Sequence, residues 1–211
     1  PDGDTLGRFR NLLIKNGLQE KLFSQVVAAL MERALILKKG TIVDSTIISA
    51  PSSTKNKEKK RDPDAHQVKK GNTWHFGYKA HIGVDRDSGL VHTVEATAAN
   101  VHDATETSKL LTGDEDEVYG DSGYLGAEKR GDAIIRNKAG RKIKCRINRR
   151  PSQVKKLSKS GQYAAKKAEH AKSSVRAKVE HAFGVVKKQL RFRKTRYRGL
   201  EKQRAKFNIM F

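Results

Sequence analysis

Cysteine and long apolar runs are nearly absent from this chain. Cys145 is the single cysteine of 211 residues, so no disulfide can form within the chain, and this fits a reducing, cytoplasmic setting. The most apolar stretch, Val26 to Leu37, is interrupted by Glu32 and Arg33 and is too short to span a bilayer. We therefore expect a protein without a membrane partner.

Acidic side chains are scarce in the last third of the chain. Residues 1–137 hold 20 basic and 20 acidic side chains, whereas residues 138–211 hold 25 basic and 3 acidic ones and so carry the whole net charge of +22. A region with this charge is expected to meet a polyanion. Few large apolar residues are interleaved with these Lys and Arg residues, which favours nucleic acid over a membrane surface.

The beginning of the chain predicts a helical segment. The first residue is not Met and the last residues look helical and apolar, so we expect a piece of a longer protein. One helix, capped by Thr5, should run to about Asn16, and a second should reach Lys38. The two helices would pack on the rest of the chain or form a helix–turn–helix DNA reader, and the low positive charge here favours packing. We expect residues 1–39 to form this segment and residues 40–211 to form the main domain.

The pattern after residue 39 predicts a mixed α/β sheet. Runs of β-branched residues and alternation of apolar with polar residues indicate strands, and spacings of three and four indicate helices. The predicted strands are 41–48, 74–84, 90–97, 118–121 and 141–147, and the predicted helices are 103–111, 126–136 and 164–190. Segments 50–72 and 151–160 are expected to be polar connections. The order β-β-β-α-β-α-β-α is typical of the mixed α/β class.

The predicted elements place two pairs of polar residues. Strand 74–84 has the alternation of a half-buried strand, so Lys79 and His81 should share one face. Asp103 and Glu106 have the spacing of a capping box at the start of a helix.

Three carboxylates are candidates for chemistry. Asp44 lies in the middle of an apolar strand, where a charge is costly unless Arg, Lys or a metal ion neutralises it. Asp121 ends a strand, although Asp is also common in turns. Glu180 is one of three acids in the basic third, and on a helix it would share a face with Arg176 and Lys187.

Two interpretations of these carboxylates remain open at this point. An Arg–Glu–Lys network on a helix surface would contribute only about 0–1 kcal/mol, and spacing alone favours it. Phosphodiester cleavage instead uses two divalent ions about 3.5–4 Å apart, and Mg²⁺ prefers oxygen ligands. Three carboxylates and one phosphate would balance the charge of two such ions.

The order of several motifs is familiar. Asp121, Gly123 and Tyr124 form Asp-x-Gly-Tyr, and Arg176, Glu180 and Lys187 have the spacing of Tyr-x2-Arg-x3-Glu-x6-Lys, with Ser173 in place of the tyrosine. With the segments 40–44, 50–57, 69–72, 74–77 and 79–85, the chain resembles bacterial insertion-sequence transposases of the DDE type, specifically the insertion sequence five group.

This resemblance implies both a fold and an activity. The fold would be a ribonuclease H-like mixed sheet flanked by helices, with Asp44, Asp121 and Glu180 as catalytic residues and ligands of two Mg²⁺ or Mn²⁺ ions. Water would cut the end of a transposable element, and the freed 3′-hydroxyl would attack target DNA. The partners would be double-stranded DNA and a second copy of the chain in a homodimer, at the nucleoid. The residues expected to contact DNA are Arg176, Lys187, Lys79, His81, Lys69 and Lys70.

Three other functions compete with transposition. A nuclease of the same fold would hydrolyse DNA without joining it. A decayed transposase or regulator would only bind DNA, although the three intact acids argue against decay. A ribosome-associated RNA binder would explain the charge but not the carboxylates.

Overall fold

The computed structural model describes residues 2–129 and 136–211. Within them, six strands form one mixed sheet: β1 (Gly40–Ser49), β2 (His66–Lys70), β3 (Thr73–Asp85), β4 (Val91–Ala98), β5 (Glu117–Gly120) and β6 (Lys144–Ile147). The α-helices are α1 (Gly3–Lys15), α2 (Leu18–Glu32), α3 (Asp103–Glu106), α4 (Pro151–Lys155), α5 (Lys159–Arg176), α6 (Val179–Gly184) and α7 (Leu200–Met210). None of these helices is long and apolar enough to cross a bilayer.

Strand β1 occupies the centre of the sheet. The strand β3 runs antiparallel along one side of it, and β5 runs parallel along the other, with β6 parallel to β5 beyond. Strands β2 and β4 share the far side of β3, where β2 pairs with residues 73–77 and β4 with residues 78–84. This order, with helices on both faces, confirms the ribonuclease H-like mixed sheet that the resemblance implied.

The central position of β1 explains its run of apolar residues. Ile42 and Ile48 pack into a core on one face of the sheet, whereas Val43 packs into a second core on the other face. The first core includes Phe183 near the end of α6 and Phe207 of α7. A strand covered on both faces has no solvent side to make polar, so continuous hydrophobicity is the expected pattern.

The N-terminal helices pack on each other and on the C-terminal helix. Helix α2 contacts α7 and β4, and α1 contacts α2 and α7. The cap of α1 is Asp2, whose Oδ1 accepts a hydrogen bond of 2.7 Å from the backbone N–H of Thr5. The prediction that Thr5 caps this helix is therefore wrong, because Asp2 supplies the acceptor one turn earlier.

The segment predicted as a connection before residue 73 contains a strand. Lys69 and Lys70 lie on β2, which pairs with the first residues of β3. The prediction that β3 is half-buried is also wrong, since its residues from Gly77 to Asp85 are buried on both faces. The cause is that helix α7 packs on the face that holds Tyr78, Ala80 and Ile82, whereas the segment of residues 107–110 contacts the opposite face at Gly83.

The predicted helix 164–190 is divided into three parts. Helix α5 ends at Arg176, α6 spans Val179–Gly184, and residues 185–189 form a π-helix. The predicted helix 126–136 falls mostly outside the described residues, and the part that is described holds a 3-10 turn at Ala127–Lys129. The segment 151–160 contains the short helix α4 and the first turn of α5.

Gly77 allows the backbones of β1 and β3 to approach each other closely. A methyl group added at Gly77 would overlap the carbonyl oxygen of Ile48 and lie 2.9 Å from the backbone nitrogen of Ala50. We expect Gly77→Ala to lower the free energy of unfolding by about 1–3 kcal/mol, because backbone atoms cannot give way as side chains do. Urea unfolding measures this effect.

The matched control for this variant is Gly7→Ala in α1. A methyl group there meets no atom within 4 Å, so alanine should raise the free energy of unfolding by about 1 kcal/mol through helix propensity. Equal stability of the two variants would contradict the close approach at Gly77.

Candidate functional site

Two of the predicted carboxylates lie on or directly after neighbouring parallel strands: Asp44 is within β1, and Asp121 follows β5. The pairing of β1 with β5 runs to Ile42 and Tyr119, and Asp44 and Asp121 each come two residues later in the chain. The backbone N–H of Ser45 donates to Asp44 Oδ1 at 2.7 Å, and the N–H of Gly123 donates to Asp121 Oδ1 at 2.7 Å. The parallel register therefore brings Asp44 and Asp121 to the same level of the sheet.

Arg176 supplies the positive charge beside Asp44. Its Nη2 lies 3.4 Å from Asp44 Oδ2, and its Nη1 donates to Asn148 Oδ1 at 3.1 Å. Asn148 follows β6 and also donates to the Ser173 hydroxyl at 3.3 Å, so the residue in the position of the family tyrosine lies one contact away from Arg176. The Arg176 guanidinium therefore links Asp44 on β1 with Asn148, which directly follows β6.

Glu180 lies where the helical backbone tightens. The N–H of Glu180 bonds to Ala177 O and that of His181 to Lys178 O, both across three residues, whereas the N–H of Ala177 bonds four residues back. Glu180 is exposed, and its charge is near enough to raise the pKa of Asp44. Arg176, Glu180 and Lys187 therefore do not lie on one regular α-helix, although all three border the same region.

The Asp44 carboxyl is costly to ionise. Burial is the main cause that raises its pKa to about 6, and the charges of Asp121 and Glu180 add to this effect. The N–H of Ser45 and the charge of Arg176 act in the opposite direction. The fold thus tolerates a poorly solvated acid at the centre of its sheet, which is common at functional sites.

Tyr124 is buried beneath the same carboxylates. Its side chain is 1% exposed, and its hydroxyl has no hydrogen-bond partner among the described residues. Burial, followed by the charges of Asp44, Asp103 and Asp121, raises the pKa of this phenol well above its usual range. An unpartnered buried hydroxyl is uncommon and calls for an explanation such as a bound ion or ligand.

The donor set fits a hard divalent cation in its chemistry. Asp44, Asp121 and Glu180 offer carboxylate oxygens, the ligand type that Mg²⁺ and Mn²⁺ prefer. In residues 2–129 and 136–211, no three His, Cys, Asp or Glu side chains are close enough to hold a metal ion in their present positions. The guanidinium of Arg176 lies against Asp44, so a cation there would compete with an arginine that already neutralises this acid.

A basic groove borders the carboxylates. It has a volume of about 430 Å³ and includes basic side chains from β2, from the π-helix and from the segment that follows it. Its lining residues are Thr46, Ile47, Ser49, Lys70, His75, Lys187, Lys188 and Arg193. Burial and the nearby charges of Lys70 and Arg193 lower the pKa of Lys187, while Glu180 raises it. With no acid in its described lining, the groove can attract an anion such as a phosphate.

Two predicted DNA-contact residues lie inside the protein. The Lys79 ammonium donates to Val101 O at 2.7 Å and to Asp103 Oδ1 at 2.9 Å. His81 is completely buried, its Nε2 lies 2.8 Å from Thr97 Oγ1, and burial lowers its pKa to about 4. The expectation of DNA contacts from Lys79 and His81 is therefore wrong for this structure, because β3 is covered on both faces.

The capping box expected at Asp103 is also wrong. The cap of α3 is His102, whose side chain accepts a hydrogen bond from the N–H of Ala104, and the Asp103 carboxylate turns towards Lys79 and Ser45. The spacing of Asp103 and Glu106 did not indicate the contact with Lys79, because the same spacing occurs at ordinary helix starts. The signal in the sequence was Lys79, a lysine between Tyr78 and Ala80 on a strand rich in apolar residues, which needs an acidic partner if it is buried.

Replacing Asp44 by asparagine should stabilise the protein in the absence of divalent ions. The raised pKa means that ionised Asp44 costs folding free energy above pH 6, and that this cost fades as the pH falls from 6 towards 4 and the folded protein takes up a proton. We expect Asp44→Asn to raise the free energy of unfolding by about 2–3 kcal/mol at pH 8, with EDTA present. The gain should shrink steadily between pH 6 and pH 4.

The control for Asp44→Asn is Asp116→Asn. The side chain of Asp116 is 55% exposed, so this change should leave the unfolding free energy nearly the same at both pH values. Urea unfolding at pH 8 and pH 4 measures both variants. A loss of stability on Asp44→Asn at pH 8 would show that the ion pair with Arg176 outweighs the cost of burial.

Comparison with known proteins identifies the family. Residues 36–211 match the family model described as the transposase DDE domain. A solved structure described as a piggyBac transposase synaptic complex with hairpin DNA is similar over 81% of this chain and 45% of that chain, with 10% identity and a TM-score of 0.46. The chain thus spans less than half the length of that transposase. Membership of the insertion sequence five group stays a prediction. Because the family match covers most of the sequence, this chain belongs to the transposase DDE domain family.

Proposed function

We propose that this chain cuts the DNA ends of a transposable element and joins them to target DNA, with Asp44, Asp121 and Glu180 as the catalytic carboxylates. The observation that carries the proposal is the pairing of β1 with β5, which brings the costly charge of Asp44 to the level of Asp121. A protein that only bound DNA would have no need for an acid that is only 14% exposed at this position.

The three carboxylates would hold two divalent ions, Mg²⁺ or Mn²⁺. Ions bound there would promote loss of a proton from the attacking water or 3′-hydroxyl and stabilise the negative charge on the phosphate. Asp44 lies on β1 and Asp121 directly after β5, so both would keep fixed positions, while Glu180 would approach from the helical side.

Arg176 has a distinct task in this scheme. In the absence of divalent ions it neutralises Asp44, and its Nε is buried without a hydrogen-bond partner among the described residues. Once the carboxylates hold cations, the guanidinium is available to bind the phosphate being cut. Arginine suits this task because its planar group can donate two parallel hydrogen bonds to phosphate oxygens.

The basic groove would hold the DNA backbone beside the reacting phosphate. Lys70 and Lys187 line it, Lys69 lies next to Lys70 on β2, and Glu180 is close enough to affect the pKa of Lys187. A strand running from the carboxylates into the groove would therefore exchange its counterions for these side chains. The substrate we propose is double-stranded DNA, bound at the nucleoid in the cytoplasm.

We further propose that residues 1–39 form a helical segment attached to a catalytic domain of residues 40–211, and that two copies act together. Joining two element ends to one target requires two sites, which a homodimer provides. Helices α1 and α2 leave large apolar side chains such as Leu6, Phe9 and Leu22 about half exposed. These faces are available for further packing.

Cleavage and joining can be tested with duplexes that carry the two terminal sequences of the element. With Mg²⁺, we expect nicking at the ends and joining to a supercoiled plasmid. Asp121→Asn should reduce both activities by more than about a hundredfold while DNA binding persists, because it removes a ligand charge and keeps the size of the side chain. The control Asp116→Asn is expected to cut normally.

Each outcome of this assay separates the competing functions. Nicking without joined products would identify a nuclease, and binding without nicking by the unmodified chain would identify a DNA-binding regulator. Equal nicking by Asp121→Asn and the unmodified chain would refute the assignment of the site.

The groove can be tested by the salt dependence of duplex binding. Lys70→Ala and Lys187→Ala should each weaken binding and reduce the slope of log K against log salt concentration by about 1, since each lysine would neutralise one phosphate. Lys15→Ala, an exposed lysine at the end of α1, is the control and should leave the slope unchanged. The same slope for all three variants would place the DNA elsewhere.

A further inference from the structure

Asp103 is a carboxylate that the three-acid site does not include. It lies at the start of α3 and its Oδ1 accepts hydrogen bonds from the Ser45 hydroxyl and the Lys79 ammonium, both at 2.9 Å. His81 Nδ1 lies 3.7 Å from the same oxygen. Within the described part of the chain, Oδ2 accepts no hydrogen bond. One oxygen of Asp103 is therefore held firmly, and the other remains available.

The available oxygen of Asp103 faces Asp121. A methyl group built on Gly123 would lie 2.9 Å from Asp121 Oδ1 and 3.6 Å from Asp103 Oδ2, so these two oxygens flank the same small space. Gly123 keeps this space open because it has no side chain. A cation with its water shell can occupy a gap between carboxylates of this kind.

Ser45 links Asp103 to the centre of the site. Its backbone N–H donates to Asp44 Oδ1, and its hydroxyl donates to Asp103 Oδ1. A single residue thus orients two carboxylates, one on β1 and one on α3. This arrangement resembles the support that metal ligands usually receive from a surrounding layer of hydrogen bonds.

The buried hydroxyl of Tyr124 provides an independent observation. It makes no hydrogen bond of normal geometry in the described residues, although the Ser45 side chain lies close enough to lower its pKa, and the charges of Asp44, Asp103 and Asp121 raise that pKa. The charges of these three acids therefore act together on one buried polar atom. A structural ion pair between Asp103 and Lys79 would explain neither this hydroxyl nor the position of Asp103 Oδ2.

We propose that Asp103 is a fourth carboxylate of the cation site, with its Oδ2 binding a divalent ion, directly or through a bound water, beside Asp121. This inference rests on the proposed function and deepens it. Lys79 acts as a positioning residue together with Ser45, because both donate hydrogen bonds to Oδ1 and leave Oδ2 on the side of Asp121.

Binding of Mn²⁺ alone to the whole chain, measured by calorimetry and by the paramagnetic signal of the unbound ion, tests this assignment without DNA. We expect Asp103→Asn, which keeps the size of the side chain, to weaken at least one Mn²⁺ site by about tenfold or more. The exposed control Asp116→Asn should bind as the unmodified chain does. Unchanged binding by Asp103→Asn would overturn the proposal.

Tyr124→Phe keeps the test decisive if Asp103→Asn folds poorly. This variant removes only the hydroxyl, so the ion-free protein should be at least as stable in urea while its Mn²⁺ affinity falls. Undiminished Mn²⁺ affinity of Tyr124→Phe, with the fold intact by circular dichroism, would count against a cation at this position.

Asp121→Asn separates a failure of this inference from a failure of the proposed function. If Asp121→Asn loses Mn²⁺ binding and DNA cleavage while Asp103→Asn keeps both, only the role of Asp103 is refuted. If Asp121→Asn also keeps both, the whole cation site is refuted, together with the proposal for Asp103.

Discussion

The parallel pairing of β1 with β5 is the constraint on which the rest of the site depends. It brings Asp44 and Asp121 to one level of the sheet although 76 residues separate them in the sequence. Both strands are covered on their two faces, so the site cannot move without disturbing two apolar cores. The free energy gained by packing around β1 thus outweighs the cost of an ionised Asp44, and the charge of Arg176 offsets part of that cost. If Asp44 acts as proposed, the fold trades stability for function at this position.

The strands could be predicted from the sequence because their residues alternate or run apolar in ways that only a sheet buries. The central strand with Asp44, the hairpin of β3 and β4 and the short strand before Asp121 all follow from local patterns. The exception was β2, whose charged sequence, His66 to Lys70, resembles a solvated loop. It forms a strand because the edge of β3 offers unpaired backbone groups, and this is a tertiary effect that local composition does not contain.

The errors at Lys79, His81 and Asp103 have one physical cause. Alternation along β3 indicates which residues share a face, but not whether that face meets water or protein. Here the face of Lys79 and His81 is covered, and Asp103 from α3 satisfies the buried lysine. Such a partner is 24 residues away in the sequence. The interruption of the helix after Arg176 was equally hidden, because its residues have ordinary helix propensity and the change lies in the hydrogen bonding alone.

The tightened turn that carries Glu180 gives the three acids unequal freedom. Asp44 and Asp121 are anchored by a sheet, whereas Glu180 follows a backbone that changes from four-residue to three-residue bonding before it and to five-residue bonding at Val185. Exchanging one bonding pattern for another in this stretch would rotate Glu180 about the helix axis and leave both strands untouched. In the catalytic centre proposed above, Asp44 and Asp121 would then keep fixed positions, and rotation of Glu180 on the arrival of cations or DNA, rather than folding, would complete the site.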